Sequence, residues 1–196
     1  MEIANEKKIA GLVQFLRKGR TMTGRFRLPM SEEQAYEYLL AAYIMEVQLR
    51  YRKFIYNGFV EDQIKQVAKC LTASTAKFGI VLCGGCGNGK TTMLKALQNL
   101  VRRLEILKPN LSPNAGHSSD NYYSFTIVNA MQIMQIRKTD YNKFCKLAEA
   151  DILGIDDIGT EPAEVQDYGN FIYPIKELLA LSLIHISEPT RPLYIS

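Results

Sequence analysis

Gly84, Gly89, Lys90 and Thr91 stand in the spacing G-x-x-x-x-G-K-[ST], inside the stretch LCGGCGNGKTT at positions 82–92. Glycines at those two places permit backbone angles that a β-carbon resists, so the amides of residues 87–91 can turn inward toward an anion. A helix beginning near Lys90 adds its positive N-terminal end. The Lys90 side chain is long enough to reach the β- and γ-phosphates of a nucleotide, and the Thr91 hydroxyl is a hard ligand for magnesium. A chance match in a chain of this length is on the order of one in a hundred, before the strand–loop–helix context is counted. The residues expected to hold a phosphate chain are Gly84, Gly85, Cys86, Gly87, Asn88, Gly89, Lys90, Thr91 and Thr92.

Such a loop needs an acid at the end of a neighbouring buried strand, and DILGIDDIG at positions 151–159 supplies one. Asp156 ends the apolar run and is placed to hold magnesium directly or through water; Asp157 follows, where it could orient an attacking water. Lys90 and Asp157 are thus the candidate catalytic residues, and Thr91 and Asp156 the candidate magnesium ligands. Glu149 and Asp151 lie at the strand's far end and read as solvated. Cys83 and Cys86 form a CxxC, but no second CxxC or spaced His pair accompanies them, so a strand end and a variable loop position explain them better than zinc.

The elements that must carry these groups alternate. An apolar run at 78–83 reads as a buried parallel strand, and KTTMLKALQNLVRRLEIL after the loop reads as a helix. Positions 108–121 are rich in Pro, Asn, Ser and Gly and read as a loop that holds His117. Positions 123–129 predict a second strand, 130–150 a helix broken near Asp140, 151–158 a third strand, and 169–180 the start of another helix. Strands alternating with helices imply a parallel sheet covered on both faces, a three-layer α/β core. Ahead of it, SEEQ at 31–34 is a capping box for a helix that Asn57-Gly58 breaks, and a further helix runs from Glu61 to Leu71. The expected organisation is a helical, basic region at 1–74 and the α/β core at 75–180.

Composition fits a folded globular chain: 47% of the 196 residues are hydrophobic and 22% charged, with a formal net charge of +4. No apolar run approaches the roughly 20 residues that span a bilayer, and the start has no signal-peptide order, so the expectation is a cytoplasmic chain without a membrane partner. Four cysteines there read as free thiols. Basic residues crowd the start, with Arg17, Lys18, Arg20, Arg25 and Arg27 as candidate nucleic-acid contacts and Phe15 and Phe26 among them as stacking surfaces. A solvated basic arm is the commoner fate of such a run and stands beside that reading. RYRK at 50–53 is a second cluster, read as the exposed face of the first long helix.

Positions 181–196, LSLIHISEPTRPLYIS, resemble a translated transposase sequencing adapter rather than any family. The alternative is an apolar helix running on to a PTRP stop signal. The adapter reading implies a non-native tail and a natural chain that continues past Ala180. It also leaves His185 without functional weight.

GGCGNGKTT, ILGIDDIGTEPAEVQDYGN and the helical region ahead of them together resemble the DnaC/IstB group of AAA+ ATPases, the replicative helicase loaders and transposition helpers. The resemblance covers about residues 75–180. It implies a P-loop NTPase core that is incomplete at its C-terminus, with residues 84–92 as Walker A and 152–157 as Walker B. It further implies ATP and Mg2+ as cofactors, a homo-oligomer, a replicative helicase or a transposase as partner, and single-stranded DNA. Two departures stand out: Asp157 occupies a position where the family often has Glu, and the sensor strand, arginine finger and lid would all lie beyond Ala180. The chain is therefore expected to bind ATP and hydrolyse it poorly. A transposition helper is the second reading, and a non-enzymatic DNA or partner adaptor with a vestigial nucleotide site is the third.

Overall fold

A computed structural model describes residues 26–73, 79–85, 87–109, 119–162, 165–167, 170–184 and 193–195. It is a mixed α/β structure with six α-helices and short parallel ladders among the described residues. The first helix, α1 (Glu32–Gln48), starts on the expected capping box. Ser31 Oγ accepts from the Gln34 amide at 3.2 Å, and Gln34 Oε1 accepts from the Ser31 amide at 3.3 Å. α1 ends earlier than the sequence suggests, and Asn57-Gly58 does not break it. Asn57 instead caps the next helix, α2 (Gly58–Thr72), accepting from the Phe59 amide at 2.9 Å. An Asn side chain that competes with backbone acceptors suits an N-cap as well as a turn, and the sequence alone does not separate the two.

After β1 (Ile80–Leu82) comes α3 (Lys90–Leu104). Buried residues fall at helical spacing on all three helices: Ala35, Leu39, Tyr43 and Glu46 on α1, Ile64, Val67 and Ala68 on α2, and Met93, Ala96, Leu97, Leu100 and Val101 on α3. Most of these side chains form one hydrophobic cluster against which Ile80 and Leu82 also pack, so the helical region and the start of the predicted core share an interior.

β2 (Phe125–Asn129) and β3 (Ile152–Asp156) pair in parallel, with Ile127 opposite Gly154 and Asn129 opposite Asp156. The crossover between them carries α4 (Ala130–Thr139) and α5 (Tyr141–Ala148), separated at Asp140 as the sequence suggests. Strand alternation sends Val128, Leu153 and Ile155 to a second cluster with Ile133, Phe144 and Leu178. Gly154 faces the other way, toward Leu94 of α3.

Three features depart from the expected sheet. β1 is not hydrogen-bonded to β2 or β3 but pairs in parallel with β6 (Leu193–Ile195), a segment of the adapter-like tail. A backbone edge left open by its own sheet accepts any short apolar strand of suitable length. The helix expected from Gly169 begins later, at Pro174, as α6 (Pro174–Ile184). Ahead of it β4 (Val165–Asp167) and β5 (Asn170–Ile172) form an antiparallel pair. Pro at the first helical position, with its fixed φ and absent N–H, marks the true start.

Candidate functional site

The loop between β1 and α3 carries left-handed backbone at the two glycines that the motif requires, with φ +150° at Gly84 and +80° at Gly89. Gly89 is the N-cap of α3 and makes no side-chain cap, so the first amides of α3 are left to an outside acceptor. Gly89 is also confined from behind, because a β-carbon there would collide with the Tyr43 hydroxyl of α1. The Lys90 ammonium lies across the loop and donates to the Gly84 and Gly85 carbonyls at 2.8 and 2.9 Å. A phosphate chain in the loop would exchange those carbonyls for charged oxygens, which are stronger acceptors.

The expected acid arrives from the other strand ladder. Thr91 Oγ1 donates to Asp156 Oδ1 at 3.0 Å across 65 positions of sequence. Register explains the meeting. Leu94 lies one turn after Thr91 on the same face of α3, and Gly154 lies two residues before Asp156 on the same face of β3. Close approach of Leu94 to Gly154 therefore brings the next pair, Thr91 and Asp156, together as well. The approach depends on a bare backbone: a β-carbon on Gly154 would stand 2.8 Å from Leu94 Cδ1 and 2.9 Å from Phe125 Cε1.

A hydroxyl and a carboxylate side by side are hard oxygen donors of the type magnesium takes when most of its shell is water and phosphate. They fit that ion better than zinc. Among the described residues no group of three or more His, Cys, Asp and Glu side chains converges to hold a metal. Cys83, expected to end a buried strand, is exposed and free, because the strand stops at Leu82. Cys86 lies outside the described residues, as do His117, His185 and Phe15.

Asp157 sits at φ +55°, a left-handed angle that Asp tolerates better than most residues. Its backbone amide donates to Asp156 Oδ1 at 3.1 Å, and its Oδ2 accepts from Asn129 Nδ2 at 3.0 Å. Asn129 is a site residue that the sequence reading passed over. It closes β2, caps α4 by accepting from the Met131 amide at 2.8 Å, and spends its remaining amide group on Asp157. The signal was available: an Asn–x–x–Gln capping pair immediately after a predicted parallel strand fixes an amide at that strand's carboxyl end, where α/β sheets bind ligands.

Three further expectations change. Asp151 is not merely solvated: it pairs with Lys108 at 2.9 Å and accepts from the Ser124 amide and hydroxyl at 3.0 and 2.8 Å. Partial burial alone would raise its carboxyl, but the Lys108 and Ser124 hydrogen bonds outweigh that and hold it below the ordinary carboxylate range. RYRK is exposed as expected but follows α1 instead of lying on its face, and from this exposed position Arg50 donates from Nη1 to Thr92 Oγ1 at 3.1 Å. Arg27, expected on an open basic surface, is partly buried, and its Nη1 is sequestered without a hydrogen-bond partner among the described residues. Arg17, Lys18, Arg20 and Arg25 lie outside the described residues.

A cavity of about 520 Å³ lies between Pro162 and α6, away from the glycine loop. No described helix is long and apolar enough to cross a membrane. No family model matches the chain, and comparison with curated proteins and with solved structures finds no match.

Proposed function

We propose that the chain binds Mg-ATP at the glycine loop and belongs to the helicase-loader type of AAA+ ATPase. The observation that carries this reading is the Thr91–Asp156 hydrogen bond of 3.0 Å, which joins two motifs that would otherwise be unrelated. In this reading the amides of residues 87–91 and the Lys90 ammonium hold the phosphates, and Thr91 and Asp156 hold the ion. Held there, magnesium would offset negative charge on the phosphates. Asp157, steered by Asn129, accepts a hydrogen bond from the attacking water. Turnover is slow, because Asp157 is one methylene shorter than the Glu common at this position and the resemblance implies an arginine from a neighbouring subunit. The helicase or transposase partner, single-stranded DNA and a homo-oligomeric state follow from the resemblance and belong to this proposal.

Equilibrium binding of a fluorescent ATP analogue to the full chain tests it. Lys90→Ala removes charge-assisted bonds of about 1.5–3 kcal/mol, a loss in affinity of roughly tenfold to a hundredfold. An adaptor with a vestigial site gives no binding in the wild type, or equal binding in both.

A further inference from the structure

The nucleotide reading uses residues 84–92 and the end of β3. It leaves aside the segment between α1 and α2, which reaches the same end of α3 through Arg50. α1 closes with the Tyr51 amide donating to the Gln48 carbonyl at 2.9 Å and the Arg52 amide to the Val47 carbonyl at 3.3 Å. Tyr51 takes φ +56°, an angle that helix ends normally give to glycine. Its side chain is fully exposed, at 101%, so packing does not explain the residue's place there.

The turn directs the neighbouring Arg50 back to α3, where Nη1 donates to Thr92 Oγ1. Thr92 is itself buried and belongs to the first turn of the helix that the loop feeds. Two further contacts hold α1 in this position: Tyr43 stands behind Gly89, and buried Glu46 accepts a hydrogen bond from Asn99 of α3. Among the described residues no carboxylate pairs with Arg50. A guanidinium has five N–H donors in a fixed fork, and the Thr92 hydroxyl takes one of them. A cation anchored at one corner, unpaired, beside the amino end of a glycine-capped helix is arranged for an anionic oxygen ligand.

We infer that Arg50 is a phosphate-contacting residue of the nucleotide site, supplied in cis by the helical region and serving the α-phosphate. The inference rests on the nucleotide reading of the glycine loop. In that reading Lys90 and Thr91 serve the β- and γ-phosphates. The cation anchored on the next helical residue, Thr92, is left for the phosphate that neither of them serves. A contact to the α-phosphate contributes equally to ATP and ADP, whereas a contact to the γ-phosphate separates them.

The test is equilibrium binding of ATP and ADP in excess Mg2+ to the full chain, with thermal melting of each nucleotide-free variant. Arg50→Ala is expected to weaken both nucleotides by a similar factor of about tenfold, and Arg50→Lys to weaken both by less. Wild-type affinity for both nucleotides in Arg50→Ala, with only a lowered melting temperature, overturns the inference and makes Arg50 a link between α1 and α3. Loss confined to ATP overturns the α-phosphate assignment. If Arg50→Ala does not fold, Arg50→Lys decides: a common loss for ATP and ADP upholds the inference, and wild-type affinity for both overturns it. Lys90→Ala is measured alongside. If it binds as wild type does, or if wild type binds neither nucleotide, the glycine-loop reading fails and this inference falls with it. If Lys90→Ala loses binding while Arg50→Ala does not, only the Arg50 assignment fails.

Discussion

Asp156 receives two hydrogen bonds on one oxygen, from the Thr91 hydroxyl and the Asp157 amide. Among the described residues its second oxygen has no hydrogen-bond donor, which makes it the natural first ligand for a cation approaching the loop. Asp157 differs in kind. It is exposed, it sits on a left-handed backbone, and its carboxylate is steered from one side by Asn129. Strained non-glycine residues are tolerated where the surrounding structure over-determines them, often at functional sites. The two acids should therefore separate in experiment. Asp157→Asn keeps the shape and is expected to leave ATP affinity unchanged while lowering turnover by about a hundredfold or more, the usual contribution of a positioned proton acceptor. Single-turnover hydrolysis alongside a binding titration checks this. Equal loss of affinity in Asp157→Asn would place that residue in binding instead.

At the scale of elements, the site depends on how closely α3 approaches β3. Gly154 makes that approach possible, and a methyl there forces Leu94 or Phe125 to move. Gly154→Ala is expected to cost about 1–3 kcal/mol of stability by overpacking, read as a shift in urea midpoint, and to weaken ATP binding through displaced Thr91. A variant with wild-type midpoint and affinity would show that the register argument is wrong. Much at this scale was legible beforehand. The Ser31 capping box, the glycine loop between strand and helix, the break at Asp140 and the acidic end of β3 each rest on local chemistry, and each appears where its residues place it. What was not legible depends on tertiary neighbours. Arg50 held to Thr92 and Asp151 paired with Lys108 are decided by partners 42 and 43 positions away, whereas Asn57 caps through the Phe59 amide only two positions on, a local choice that Asn-Gly leaves open. The β4–β5 pair was missed because its strands are short and flank a Tyr-Gly that reads equally well as a helix start.

Across the whole molecule, two hydrophobic clusters meet at the β2–β3 ladder, one built with α1, α2 and α3 and the other with α4, α5 and α6. The ladder's amino end is pinned by Asp151 with Lys108 and Ser124, opposite the end that carries the site. Because the folded carboxyl of Asp151 is held below its unfolded value, its contribution to stability is present above that unfolded value and fades as pH falls through the folded one. Urea unfolding should therefore show Asp151→Asn less stable than wild type at neutral pH, with the difference constant down to about pH 5 and shrinking below about pH 4. A gap that grows on acidification would contradict the pairing.

The glycine loop and the end of β3 are proposed to form one magnesium–nucleotide site. Calorimetric titration of ATP into wild type and Asp156→Asn, each with Mg2+ and with a chelator, addresses it directly. Mg2+ is expected to tighten ATP binding to the wild type, and Asp156→Asn to lose most of this tightening while retaining the weaker, metal-free affinity. Equal dependence on Mg2+ in both proteins, or no ATP binding by the wild type, would contradict it.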